Sequence, residues 1–285
     1  MTELTTHTKL ALARTARSLV MLGRRASGAG SRALVRRRGI QWDLDLNEGI
    51  DFAIYLLGGF ELRTLRQYRA IVRAGDTVLD IGANIGAHAL PFAQLVGPMG
   101  QVIAFEPTRF AFQKLQRNVM LNPDLAPRIR ALQVALLESE GAKVPEHIYS
   151  SWPLNSRDSL HAVHGGQLQD TSGAVAASLD QVIDTLGLAR VDFVKLDVDG
   201  HEPQVLAGAV RTLRKFRPRI LVEWAPYLFE GRDALLNPAL AELRAIGYRA
   251  RVAGSKVAGD LPRHREDLLV PMVRGASINL LLEPA

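Results

Sequence analysis

The chain has 285 residues, of which 47% are hydrophobic, enough to bury a full core. It contains no cysteine, which excludes disulfides, thiolate metal sites and cysteine nucleophiles and is compatible with a reducing, cytoplasmic setting. The formal charge of +6 is uneven: residues 1–39 hold nine Lys or Arg against Glu3 alone, while the remainder carries 26 basic and 28 acidic residues, a net charge of −2 that gives no argument for nucleic acid as a partner.

Residues 1–39 read as a basic, partly flexible or amphipathic extension. Leu10–Ala13 and Leu19–Leu22 suit a helix lying on an anionic surface, and Ser27–Gly30 interrupts it. Neither apolar segment is long enough to span a bilayer, so the expected contact is peripheral, at the inner membrane surface. The folded domain is expected over 40–285. Trp42–Leu46 alternates as a strand does, Ile50–Leu57 is apolar enough to cap one end of the core, and Glu61–Val72 suggests a helix before the turn Arg73–Asp76.

Val78–Leu90 carries the strongest local signal: an apolar strand, a turn of small residues and a helix that runs from Ala87 to Val96. Gly82 and Gly86 permit close backbone approach, Asn84 tolerates a turn conformation, and Asp80 adds a carboxylate near the strand end. This suits a ligand with ribose and positive charge, although a tight connection in any α/β domain reads similarly. A dinucleotide site would carry G-x-G-x-x-G, and Asn84 replaces its second glycine.

Gln101–Phe105 is the next strand, ending at Glu106, whose carboxylate can accept from two adjacent ribose hydroxyls or cap the following helix. Phe112–Met120 reads as that helix and Ile129–Leu136 as a third strand, which sets Ala135 at the adenine edge of the pocket. Val191–Leu196 forms a fourth strand leading into Asp197-Val198-Asp199-Gly200-His201-Glu202, with Lys195, Asp197 and Asp199 on one face if extension persists. Asp199 or His201 can accept a substrate proton, and Glu202 with Lys195 can instead form a structural ion pair. A helix over Glu202–Leu213 and a strand at Arg219–Val222 then deliver Glu223. That residue orients substrate, joins Asp197 or Asp199 around a divalent ion such as magnesium, or is a satisfied strand-end carboxylate. Tyr248–Val252 and Ala276–Leu282 are the final strand candidates, with Asp267–Pro271 at an edge or loop.

Taken in order, these segments resemble the FkbM family of S-adenosylmethionine-dependent methyltransferases. The resemblance rests on W-D-L-D-L-N-E-G-I-D from Trp42, G-F-E at Gly59–Glu61, V-L-D-I-G-A-N-I-G from Val78, A-F-E-P at Ala104–Pro107, N-V-M-L-N at Asn118–Asn122, S-L-D-Q-V-I-D at Ser178–Asp184, V-K-L-D-V-D-G-H-E at Val194–Glu202 and I-L-V-E at Ile220–Glu223. It implies a class I Rossmann-like α/β fold with a mainly parallel sheet and an antiparallel edge strand. It also implies a cofactor pocket built from Asp80, Gly82, Ala83, Asn84 and Gly86, with Glu106 on the ribose and Asp197 toward the methionyl portion. Where the family often has Asp-x-Glu-Gly, this chain has Asp197-Val198-Asp199-Gly200, a shorter acid.

The implied reaction is methyl transfer to an oxygen of a sugar, a glycosylated natural product or a glycan, with Asp199, His201 and Glu223 as catalytic candidates. The alternatives are N-methylation of a small amine, or a noncatalytic module that binds S-adenosylmethionine or nucleic acid. The long segment 138–177 suits a cover over the acceptor, with Tyr149–Trp152 and Asn155–Asp158 able to stack on or hydrogen-bond a sugar. Its His161 and His164 make no convincing metal motif, and no feature of the chain sets an oligomeric state.

Overall fold

The computed structural model describes residues 6–155, 166–229, 231–253, 255, 259–261 and 277–285. Ser156–Asp158, His161 and His164, Asp267–Pro271 and Ala276 therefore lie outside the described residues.

Helix α1 (Thr6–Ala26) leads into a hairpin of β1 (Arg32–Arg37) and β2 (Ile40–Asp45), followed by α2 (Gly49–Leu57) and α3 (Leu62–Arg69). The fold's first strand thus begins at Arg32, ahead of the boundary expected at Ile40. Arg32, Leu34 and Arg36 of β1 are exposed on one face, while Ala33, Val35 and Arg37 alternate with them on the more buried face, a pattern that basic composition alone conceals. The parallel unit follows as β3 (Thr77–Ile81), α4 (Ala89–Val96), β4 (Gln101–Phe105), α5 (Arg109–Met120) and β5 (Ile129–Leu132).

Next come β6 (Val134–Leu136), β7 (His147–Ser151), β8 (Gln167–Asp170), β9 (Val175–Ala177) and α6 (Leu179–Leu186). The single strand expected over Ile129–Leu136 is broken at Gln133: β5 stays in the central sheet, while β6 turns away to pair with β9. The chain closes through β10 (Phe193–Leu196), α7 (Glu202–Ala207), α8 (Val210–Phe216), β11 (Arg219–Trp224), α9 (Asp233–Ala245), β12 (Tyr248–Val252) and β13 (Ile278–Pro284). The one helix expected from Glu202 is two, because a side chain at Gly208 would stand 2.2 Å from the Leu137 carbonyl and the chain bends there to fit.

The central sheet has seven strands in the order β12-β13-β11-β10-β3-β4-β5. Five are parallel, and β13 runs antiparallel between β11 and β12 at one side. Every residue of β3 is buried, as befits a central strand covered on both faces. Alternation divides the core: Val78, Val102 and Phe193 pack with α2 to α4, whereas Leu79, Ile103 and Val194 pack with α6 to α9. This mixed α/β, mostly parallel arrangement is the Rossmann-like methyltransferase fold.

Candidate active site

From β3 the chain moves outward to β4 and β5, then returns to lay β10 on the other side of β3. That reversal leaves a crevice beyond the carboxyl ends of β3 and β10, where open α/β sheets take their ligands. A cleft of about 770 Å³ occupies it, a size that suits a small-molecule ligand. Gly82, Ala83, Asn84, Glu106, Ala135, Asp197, Asp199, His201 and Glu223 all line this cleft.

Asp80 and Gly86 do not line it. Asp80 is fully buried on β3, directly in register with Lys195 of β10, and Gly86 packs against Leu115 and Leu90. Their place is behind the lining, because the chain turns away from β3 only at Gly82.

The turn needs its unusual backbone. Gly82, Asn84 and Gly86 have φ of 83°, 47° and 90°, and a side chain at Gly82 would stand 1.8 Å from the Asp197 carbonyl oxygen. Asn84 supports its own conformation, since its Oδ1 accepts from the Ile85 N–H at 2.9 Å. Its Nδ2 donates to the backbone oxygen of Ser150 at 3.0 Å and to Ser150 Oγ at 3.2 Å, which clamps β7 over the turn.

Glu106 is held firmly at the end of β4. Its Oε2 accepts from the Asn84 N–H at 3.0 Å, and its Oε1 accepts from the Thr108 N–H at 2.9 Å and from the Thr108 hydroxyl. Burial pushes its pKa up while those hydrogen bonds oppose the shift. A carboxylate offers about four acceptor positions, so Oε2 keeps one beyond the Asn84 bond.

The opposite wall is acidic. Lys195 Nζ donates to Asp197 at 2.8 Å, so the lysine pairs with Asp197 and the expected partnership with Glu202 does not form. Glu202 Oε1 instead accepts from the Val198 N–H at 3.0 Å, because Glu202 opens α7 and faces back into the loop. Burial opposes ionisation of Asp197, yet Lys195 and a hydrogen bond from Glu223 hold it below the usual carboxylate range. Glu223 moves up, through burial and the Asp197 charge, and so keeps the shared proton.

Asp199 is also raised, by burial first and then by repulsion from Asp197 and Glu202. Extension from β10 does not persist to it. Asp199 has φ of 48° and Gly200 of 94°, so the loop turns left-handed and Asp199 faces the cleft by a bend. Burial, with Arg232 beside it, lowers the His201 pKa to about 4, and Arg232 Nη1 approaches His201 Nδ1 at 3.4 Å. Arginine only donates, which places the proton of the neutral ring on Nε2.

Among the described residues, no group of three or more histidines and carboxylates has metal-ligand geometry. No helix among them is long and apolar enough to cross a membrane. Thr108, Ser150 and Glu61 complete the site: Thr108 was not read from the sequence, while Ser150 was read only as part of the acceptor cover and Glu61 only as part of the G-F-E segment. Thr108 stands two residues past Glu106, a spacing at which a hydroxyl closes on a carboxylate. Ser150 lies 44 positions away and reaches Glu106 only through the fold. Glu61 lines the cleft with φ of 44° at the start of α3.

The residues present fit S-adenosylmethionine. The Asp197 carboxylate complements its positive charge, Glu106 offers an acceptor toward ribose hydroxyls, and Ile81, Phe105, Val134 and Leu136 add apolar lining that suits adenine. Glu202 Oε2 is buried with no hydrogen-bond partner, a further unsatisfied acceptor in the lining.

Residues 80–250 match the model of the methyltransferase FkbM domain. The chain is 31% identical over 175 residues to methyltransferase sdnD of Sordaria araneosa, an alignment covering 52% of this chain and 66% of that protein. It is 27% identical to hexuronic acid methyltransferase AglP of Haloferax volcanii, covering 54% and 62%. It is 30% identical to 2-O-methyltransferase NoeI of Sinorhizobium fredii, covering 60% and 73%. The matches thus span roughly two thirds of these relatives' own length. With the switch-point cleft, the Gly82–Gly86 turn and the Glu106 carboxylate in place, the chain belongs to the FkbM family of S-adenosylmethionine-dependent methyltransferases.

Proposed function

We propose that this protein transfers a methyl group from S-adenosylmethionine to a hydroxyl of a sugar, a glycosylated natural product or a glycan, with Asp199 as the proton acceptor. When bound, S-adenosylmethionine supplies an activated methyl on a sulfonium sulfur. The chain's own residues hold the donor, place the acceptor and receive one proton.

The observation that carries this reading is the position of Asp199. It faces the same cleft as the Asn84 turn, and it is the one acid of the Asp197, Asp199 and Glu223 set that is neither paired with Lys195 nor engaged in the shared proton. Asp197, kept ionised by Lys195, supplies fixed negative charge for the cationic donor. Its presence, with burial, raises Asp199 and makes it a stronger base once ionised. His201 lines the cleft with Nδ1 beside Arg232 and its proton on Nε2, and its lowered pKa makes it a weaker base than Asp199 and a better hydrogen-bond donor to acceptor oxygen.

A sugar acceptor is supported by the relatives, which include a hexuronic acid methyltransferase and a 2-O-methyltransferase. Tyr149 and Trp152 of the segment over the turn add aromatic faces to the lining. Purified protein incubated with labelled S-adenosylmethionine and a panel of uronic acids, glycosides and small amines tests the proposal. Label on a sugar oxygen is the expected result, and label on nitrogen alone overturns it. In the same assay Asp199→Asn lowers turnover at saturating donor by about 100-fold or more while donor affinity changes less than threefold.

A further inference from the structure

The cleft does not end at the acidic loop. Its lining extends to a wing formed by α1 and α2, whose contributed side chains are all apolar, among them Leu12, Ala13 and Ala16 from α1 and Ile50, Ala53 and Leu57 from α2. Glu61, Arg63 and Thr64 line the cleft from the start of α3. We infer that this wing holds an aliphatic chain carried by the acceptor, so that the substrate is an amphiphile with a sugar hydroxyl at one end and a hydrocarbon tail at the other. The inference rests on the proposed methyl transfer and names the substrate class for that same site.

Three observations support a built wing. First, α1 is fixed: Met21 is buried in the core, Arg17 Nε donates to the Leu46 carbonyl at 2.9 Å, and Arg14 donates to the Pro153 carbonyl at 3.4 Å. Second, the segment over the acceptor side closes on the same place, since the Gly49 N–H donates to the Trp152 carbonyl at 2.9 Å and a side chain at Gly49 would stand 3.2 Å from that oxygen. Third, the mouth is apolar where surfaces are ordinarily polar: Leu12 is 60% exposed, Leu56 49% and Leu57 55%, and all three line the cleft.

The chemistry of the occupant follows from what the wing lacks. Its helix walls provide no polar side chain, so a peptide or a second sugar there would lose hydrogen bonds to water without replacement. An aliphatic chain loses nothing of that kind and gains from burial. Small side chains at Ala13, Ala16 and Ala53 leave room for it. Continuity with the acidic loop places the head of such a molecule near Asp199 while its tail runs toward Leu12 and Leu57.

The test is direct titration of the full chain, without S-adenosylmethionine, using methyl, octyl and dodecyl β-glucosides below their micellar concentrations. Each methylene that enters the wing tightens binding by about fourfold, so dodecyl glucoside is expected to bind at least tenfold more tightly than octyl glucoside. Ala53→Trp fills the wing and flattens this series. Leu57→Asp, at the exposed mouth, serves the same purpose where the tryptophan disturbs folding, and is expected to weaken dodecyl glucoside at least fivefold. Equal affinity across chain lengths, or an unchanged series in the correctly folded variants, overturns the inference. A separate titration with S-adenosylmethionine reads the underlying function: absence of donor binding refutes the methyl-transfer reading, whereas a flat glucoside series with donor binding intact refutes the tail site alone.

Discussion

Asn84 and Glu106 show how a single side chain does more than touch a ligand. Asn84 holds a left-handed turn, donates its own N–H to Glu106 and ties β7 to the glycine-rich loop. Asn84→Ala therefore loosens the segment over the turn as well as the turn itself, and is expected to weaken donor binding by about tenfold. Glu106→Ala removes the carboxylate proposed to accept from the ribose hydroxyls and strands the Asn84 and Thr108 N–H groups, with an expected loss of 10-fold to 100-fold. Calorimetric titration with S-adenosylmethionine checks both; full retention of affinity by both variants would remove these residues from the cofactor site. Lys195→Met leaves Asp197 buried without its cation and is expected to cost about 3–5 kcal/mol, read as a lower denaturation midpoint.

At the scale of the element, close backbone contact decides where strands and helices stop. Gly82 leaves β3 against the Asp197 carbonyl, and Gly208 divides α7 from α8 against the Leu137 carbonyl. An added methyl would stand 1.8 Å from the Asp197 oxygen at Gly82 and 2.2 Å from the Leu137 oxygen at Gly208, so backbone must shift at either position. Gly82→Ala is expected to destabilise the protein by about 3 kcal/mol, a fall in Tm of roughly 6–12 °C in a thermal melt. Gly208→Ala has a less strained backbone and is expected to cost about 2 kcal/mol. Equal melting temperatures for wild type and Gly82→Ala would show that the Asp197 loop gives way easily. Helix α6 illustrates the opposite situation, because Ser178 caps it by accepting from the Gln181 N–H at 3.2 Å, a local device fully written in S-L-D-Q.

Across the whole molecule the concentration of buried acids couples stability to pH. Burial raises Asp80 and Glu202 to about 7, well above their ordinary values near 4. Both acids hold protons in the folded state that the unfolded chain has already released, so their contribution is fully present below pH 4 and is lost as pH rises through 7. His201, lowered to about 4, works the other way: its contribution is present above pH 6.5 and is lost as pH falls toward 4. The unliganded protein is therefore expected to melt at a lower temperature at pH 8 than at pH 6.5. The cationic donor compensates the ionised acids, so its stabilising shift is expected to be larger at pH 8 than at pH 6. Thermal melts with and without S-adenosylmethionine at those pH values measure this, and a larger shift at pH 6 would contradict the electrostatic account.

Local patterns sufficed for much of this protein. The run Val78–Leu90, the end-of-strand Glu106 and the Asp197–Glu202 loop were legible because strand burial, glycine turns and acids at strand ends depend on neighbours in the chain. The strands themselves showed as short apolar runs, while the parallel order of the sheet was implied only by the family resemblance. Other features depended on residues far apart in sequence. Asp80 fell behind the cleft because the chain departs from β3 only at Gly82. Ser150 reached Glu106 through the packing of an insertion, β1 joined the fold by pairing with β2, and α1 became a wall of the cleft through Arg14, Arg17 and Met21. The physical reason is the same throughout: the sequence by itself determined which backbone conformations and charges are available locally, and only tertiary packing decided which distant groups share a desolvated space, and hence which acid stays charged and which keeps its proton.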